Sequence, residues 1–505
     1  MPKEKLACDP HKEACNFNPA VFYSALGLAI LFVIWGAVFP GSMRSVSNLA
    51  LRFIIDQFGW LYLFAVFGFL IFVIAIALSK YGSIKLGKDD DVPEYSTFSW
   101  IAMLFTSGMA IGLVFWSIAE PITHFTSPPF GSAETPEAAT LALRYVFFHW
   151  GLHPWAIYSL VGLSLGYFQH RKGLPILISS VFYPILGDRI YGPMGHVIDV
   201  LAVFATIFGL STSLGLGTLQ ISSGLNFLYN IPDSDFVHLL IVGVMTIIFT
   251  GAAVLGIEKG IQFIAERIFY LALILMGFLL VFGPTTFIFD MLTNTTGSYL
   301  QNILSMSLWT DPVIKSGWLG SWTLFYWAWW ISWGPFVGQF IARISRGRTI
   351  REFVIGVLIV PTAFSFLWLG IFGSTALEIE LFGNGGIVEA VSQNVASALF
   401  VTLANYPLSS ITSIIAIVLV AGFFVTSADA GTYVVAMLTS NGSLEPKDSV
   451  KAIWGIILGS VASVLLVTGG LVALQTAAIV AAFPFMFVMI AMVYSIIKAI
   501  SSEKV

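Results

Sequence analysis

Ser321-Trp322-Thr323-Leu324-Phe325-Tyr326-Trp327-Ala328-Trp329-Trp330-Ile331-Ser332-Trp333-Gly334-Pro335 places five tryptophans and a tyrosine in an apolar run, residues 318–342, that contains no charged residue. Crossing about 30 Å of hydrocarbon takes roughly 20 helical residues, so the run has the length of a membrane-spanning helix. On such a helix Trp329 and Trp333, four apart, and Trp330 and Trp333, three apart, share a face, so their indoles can converge on one small volume. That volume suits a quaternary ammonium group, which has no N–H to donate and is held by the negative faces of aromatic rings. The alternative is an aromatic belt at the membrane–water interface. A belt accounts for Trp322 and Tyr326 better than for the dense cluster that runs into Gly334-Pro335.

The rest of the chain is of the same kind. Its 505 residues are 57% hydrophobic and 10% charged, with a mean hydropathy of +0.90, against about 25% charged residues in soluble domains. This is the composition of an all-α polytopic membrane protein. A net charge of −4 spread over so large a chain says nothing about nucleic acid, and no nucleic-acid partner is expected because no basic patch with interleaved aromatics is present. Cys8 and Cys15, with His11 between them, read as two tail thiols rather than a metal clip. No signal peptide is expected, because the polar tail leads into an apolar run too long for one.

Runs of spanning length fall near 20–38, 57–79, 97–118, 142–168, 198–219, 236–255, 263–289, 318–342, 355–373, 407–438, 452–470 and 472–498, twelve in all. Nineteen of the 23 Lys and Arg fall on the side of the N-terminus; Arg44, Arg52, Arg144 and Lys315 fall on the other. Positive charge collects in cytoplasmic loops, which predicts both termini in the cytoplasm and a multi-pass protein of the cell membrane. Arg343, Arg346, Arg348 and Arg351 form a basic cluster leading into an amphipathic start at Ile350. They read either as a surface helix near 345–356 on anionic lipid headgroups or as plain orienting charge.

Helix breakers appear in the third run (Gly108 to Gly112), the fifth (Gly209 to Gly217) and the eighth (Gly334-Pro335). At membrane depth they free backbone groups that transporters use to hold ions and substrates. The third and eighth runs lie five apart, as corresponding members of two five-helix repeats would. In the tenth run Thr426 and Ser427 offer oxygens suited to sodium, and Asp429 is an intramembrane acid, hence a functional candidate. Trp150 and Tyr158 in the fourth run, slightly over two helical turns apart, can line a cavity facing the tryptophans. His149 and His153 read as packing residues, with a metal pair as the lesser alternative.

Several segments together resemble the betaine/choline/carnitine transporters: Trp327-Ala-Trp329-Trp330-Ile-Ser-Trp333-Gly-Pro335, then Ala342-Arg343 to Phe353, Gly108-Met109-Ala110-Ile111-Gly112 with Ala119-Glu120-Pro121, His149 to Trp155, and Thr426-Ser427-Ala-Asp429. The resemblance implies twelve helices, a core of two inverted five-helix repeats of the LeuT type, a homotrimer and alternating access. It divides the chain into a tail (1–18), two peripheral helices (19–96), a first repeat (97–289), an extracytoplasmic connection (290–317), a second repeat (318–498) and a short tail (499–505). It implies an aromatic box of Trp150, Tyr158, Trp330 and Trp333 with Trp329 beside it, and an unwound substrate segment at Gly108, Met109, Ala110 and Gly112. It also implies a sodium site from carbonyls of Thr106, Met109 and Phe423 with the hydroxyls of Thr426 and Ser427. A second sodium at Thr206 and Phe336 is in doubt because Leu210 stands where a further threonine is expected. The arginine cluster falls on the family's trimer-interface helix.

Gly112 is not the Asp of proton-coupled choline members, which favours a zwitterion such as glycine betaine with sodium as coupling ion and no cofactor. Ectoine, carnitine, choline and dimethylsulfoniopropionate remain alternatives, with or without sodium. From another class, a ligand-binding channel or receptor without coupled transport is disfavoured by the lack of a charge ring or filter motif, and an enzyme by the lack of a nucleophile–base or metal constellation.

Overall fold

A computed structural model describes residues 17–107, 111–256 and 258–503, with backbone only at 105–107 and 258–259. The first half of the chain forms α1 (Pro19–Val38), α2 (Pro40–Leu78), α3 (Thr97–Ser107), α4 (Ile111–Thr126), α5 (Pro136–Trp150), α6 (Leu152–Gly166), the single turn α7 (Tyr183–Leu186), α8 (Pro193–Tyr229), α9 (Asp235–Leu255) and α10 (Glu258–Phe282). The second forms α11 (Thr285–Ser307), α12 (Phe325–Ile344), α13 (Ile350–Phe382), α14 (Ile387–Gln393), α15 (Ala398–Ala404), α16 (Ser409–Leu438) and α17 (Asp448–Ile500). Eight of these, α1, α2, α8, α9, α10, α13, α16 and α17, are long and apolar enough to cross a membrane. The protein is thus all-helical and multi-pass.

Local chemistry explains the boundaries. Asn18 caps α1 by accepting from the Val21 amide, with Pro19 in the first turn. Thr349 and Glu352 close a reciprocal capping box that starts α13. In α17 the backbone leaves helical geometry at Gly469 and Gly470, where φ is +56° at Gly470, a value only glycine adopts freely. The Arg44 guanidinium takes up the Thr468 carbonyl that this kink releases.

Several expectations are corrected. The second helix begins at Pro40, not 57. The connection expected at 290–317 is mostly the helix α11, whose Thr296 and Ser307 hydroxyls fold back on carbonyls four residues earlier. The glycine-rich stretch of the fifth run does not break α8. Thr212 and Thr218 bond back to Phe208 and Leu214, and the small residues serve close packing instead. Gly334-Pro335 likewise leaves α12 continuous, and its irregular turn is a π-helix at Gly320–Leu324. The break expected in the third run falls at Gly108, Met109 and Ala110, between α3 and α4, and lies outside the described residues. A further break, not anticipated, separates α5 from α6 at Gly151, where a Cβ would meet the Phe147 carbonyl oxygen at 2.5 Å.

α12 packs against α6, α8 and α17. Gly338 permits the approach to α6, since a Cβ there would stand 2.5 Å from Val161.

No separate surface helix forms at 345–356: 345–349 is a turn, and the remainder opens the 33-residue α13. Three of the arginines are engaged by the protein's own groups, and one of them is buried. Arg348, 4% exposed, donates to the Tyr95 carbonyl (2.9 Å) and Thr97 hydroxyl (3.2 Å) and lies 4.6 Å over the Trp100 ring. Arg351 donates to the Ala77 and Ser79 carbonyls, and Arg346 pairs with Asp91. Arg348→Ala should cost roughly 2–4 kcal/mol, because it leaves a carbonyl unpaired and uncovers an indole. Thermal unfolding in detergent reads this as a lower Tm, and an unchanged Tm would show that the loop is docked by other contacts. At the far end of the chain Glu503 accepts from Tyr167, Arg171 and Lys172, and the Arg171 hydrogen bond holds its carboxyl down at about 2.

Candidate functional site

Trp329, Trp330 and Trp333 project from one side of α12 into a cavity that Trp150, Tyr158, Gly112, Ser213 and Ser365 also line. The expected box residues therefore meet, although Trp150 ends α5 and Tyr158 belongs to α6 rather than to one helix. Trp150 stands edge-on to Trp330 at 4.9 Å and to Trp329 at 6.3 Å. Tyr158 lies 6.4 Å from Trp330, also edge-on. Trp329 and Trp330 stack at 4.8 Å and 16°.

Every indole N–H of the box is committed elsewhere. Trp333 and Trp329 both donate to the Gly209 carbonyl, at 3.0 and 3.4 Å. Trp330 donates to the His149 carbonyl at 2.9 Å, and Trp150 to Glu120 Oε2 at 2.8 Å. What remains for a ligand is π-surface, which binds a cation lacking N–H. Gly112 is sterically required: a Cβ would sit 2.3 Å from Trp329 Cη2. In this arrangement position 112 admits no carboxylate.

A carboxylate nevertheless lies behind the box. Glu120 is fully buried. Its Oε1 accepts from His149 Nδ1 (2.6 Å) and His124 Nε2 (3.2 Å), and its Oε2 from Trp150 and from the Tyr326 hydroxyl (2.5 Å). The histidine tautomers follow from these partners. Tyr326 is thus no belt residue, while Trp322 is half-buried against His124 (4.4 Å) and Trp116 (5.4 Å). The sequence reading passed over Glu120 as a site residue. Its signal was available, an acid within an otherwise apolar run at 111–123. Glu120, His124 and His149 offer three ligand atoms within 4.8 Å, but both carboxylate oxygens are already occupied by donors. His149 and His153 do not converge on a metal: His153 bonds Ser307 and stacks on Trp327.

Trp333 also forms a wall of a second cavity, lined by Met103, Phe336, Phe423, Thr426 and Ser427. Of the expected sodium ligands, those on α16 therefore face α3 across open space. Met109 and the side chain of Thr106 lie outside the described residues, and the Thr426 hydroxyl donates to the Gly422 carbonyl at 3.0 Å. Thr206 bonds back to Ala202 within α8, and Phe336 lines the second cavity and a third beneath it. That third cavity reaches Arg343, Asp429, Asp448 and Lys451.

Comparison with known proteins accords with this geometry. The profile of the betaine/carnitine/choline transporters matches residues 20–505. A probable glycine betaine transporter of Desulfitobacterium hafniense (strain Y51) is 51% identical over 96% of this chain and 97% of its own length. The glycine betaine transporter OpuD of Bacillus subtilis (strain 168) is 50% identical over 96% and 95%, and an ectoine/hydroxyectoine transporter of Virgibacillus pantothenticus 42% over 96% and 97%.

Proposed function

Because the chain belongs to the betaine/carnitine/choline family of transporters, whose members move solutes rather than transform them, we propose that it takes up glycine betaine by sodium symport. The observation that carries this reading is the box itself: Trp150, Trp329, Trp330 and Trp333 with Tyr158 around one cavity, which Trp155 also lines, the N–H groups of those four indoles being turned onto protein acceptors. Such a site holds a trimethylammonium head by its faces. With Gly112 excluding a carboxylate from the cavity wall, it favours a solute that carries its own negative charge. The two glycine betaine transporters at about half identity support the same choice.

Sodium would bind between α3 and α16, where Thr426 and Ser427 face the second cavity, and would tie the third crossing to the tenth. Twelve crossings follow if α3 with α4, α5 with α6, and the π-turn with α12 each make one, and if α17 makes two about its Gly469-Gly470 kink. The glycine-rich sequence of the third crossing and the π-turn of the eighth, five crossings apart, support a core of two inverted repeats. Trp116, Trp322 and Tyr326 pack one side of the box closed, while cavities continue from Trp333 to the Arg343 end. This is the arrangement of a carrier open to one side, and alternating access would reverse it. The positive-charge bias favours the cytoplasm of a cell-membrane protein for that side and for both termini. A homotrimer is part of the same reading.

Radiolabelled glycine betaine should accumulate in proteoliposomes only under an inward sodium gradient. Accumulation that persists with potassium in place of sodium would sink the symport, and failure to accumulate betaine while ectoine, carnitine or choline enters would replace the substrate.

A further inference from the structure

We propose that Glu120 is a positioning residue that makes the aromatic box selective for positive charge, acting through the Trp150 ring. This rests on the quaternary-ammonium reading of the box. The carboxylate never reaches the cavity. It receives four donors on two oxygens, from His124, His149, Trp150 and Tyr326, which a neutral carboxylic acid, itself a donor, cannot accommodate as well. Glu120 therefore stands as a full negative charge directly behind one wall of the box.

Packing alone gives no reason for that charge. A buried ionic cluster generally adds no stability over apolar residues of the same volume, so its presence points to work done on a neighbour. The neighbour with a free face is Trp150, whose N–H meets Glu120 Oε2 at 2.8 Å while its ring lines the cavity. A hydrogen bond from indole to an anion is charge-assisted and polarises the donor, pushing electron density into the ring. The ring face becomes more negative, and in a low-dielectric interior the carboxylate adds its own field. Both effects favour a cation and leave an uncharged group of equal shape unaffected. The same oxygen holds the Tyr326 hydroxyl, and His149, which bonds Oε1, supplies the carbonyl that orients Trp330. One carboxylate thus sets the orientation of two box walls and the charge of one.

The test compares two ligands of one shape, glycine betaine and tert-butylacetate, in which carbon replaces the quaternary nitrogen. Binding to purified protein is measured by calorimetry, directly for betaine and by competition for the analogue, 3,3-dimethylbutanoate, which keeps the carboxylate and has an uncharged head. Wild type should prefer betaine, and Glu120→Gln should weaken betaine by roughly ten-fold while moving tert-butylacetate by less than about two-fold. Equal weakening of both ligands would mean that Glu120 only holds the packing, and would overturn the proposal. Tyr326→Phe, which removes a donor competing with Trp150 but keeps the charge, should retain the preference, and its loss there would equally overturn the proposal if Glu120→Gln does not fold. A wild type that binds none of the family's trimethylammonium solutes would fell the box reading itself, and one that binds them without preference over the analogue with the uncharged head would fell this inference alone.

Discussion

Trp333→Leu is expected to weaken glycine betaine binding by about 100-fold, the sum of a lost desolvated cation–π contact and lost ring area, while Trp322→Leu changes it by less than about threefold. Trp333 closes the box toward the second cavity, with its ring fixed by the Gly209 carbonyl and packed against Phe336 at 5.3 Å. Leucine would remove the π-face, the anchor and the partition together. Trp322 lies one layer outside the box, packed on His124, Trp116 and Tyr326. Initial uptake rates across a range of betaine concentrations, normalised to protein in the membrane, separate the two. Equal changes in KM would return the whole tryptophan run to an interfacial role.

A single methyl group should act almost as strongly at position 112. Gly112→Ala puts a Cβ 2.3 Å from Trp329 Cη2 and 3.1 Å from its two neighbouring ring carbons. The ring cannot step aside cheaply, because it is stacked on Phe325 (5.4 Å) as well as Trp330. Overpacking of this kind costs about 1–3 kcal/mol, and here the strain falls on a wall of the binding cavity, so betaine affinity should drop by roughly ten-fold or more. Trp329→Phe removes the colliding carbons, so the double variant should bind better than Gly112→Ala alone. Wild-type affinity in Gly112→Ala would show that Trp329 does not rest on α4 when the ligand binds.

The apolar run lengths and the spacing of Trp329, Trp330 and Trp333 made the helical class and one wall of the site legible from the sequence, because both depend only on local periodicity. Trp150 and Tyr158 were reached by the resemblance more than by their spacing, which assumed one helix where Gly151 makes two. Glycines were the least legible residues. Those of α8 and Gly334 were read as breakers, yet an unbroken helix passes through them. Gly151 and Gly469-Gly470 do interrupt the backbone. Nothing in the local sequence tells a glycine that bends a helix from one that lets another helix approach; the neighbour decides. Glu120 escaped for a related reason, since its four donors come from three separate parts of the chain.

The hydrogen bonds of the box divide it in two. Trp329 and Trp333 hang from a single carbonyl on α8, while Trp330 and Trp150 hang from His149 on α5 and Glu120 on α4. Trp329, Trp330 and Trp333 all belong to α12, so that helix is latched to α8 on one side and to α5 on the other, and a slide of α8 past α5 changes the aperture only as one of these latches gives. Grip strength then becomes a property of helix packing at a distance, and substitutions between α8 and its neighbours can retune affinity while every residue that touches the solute stays the same.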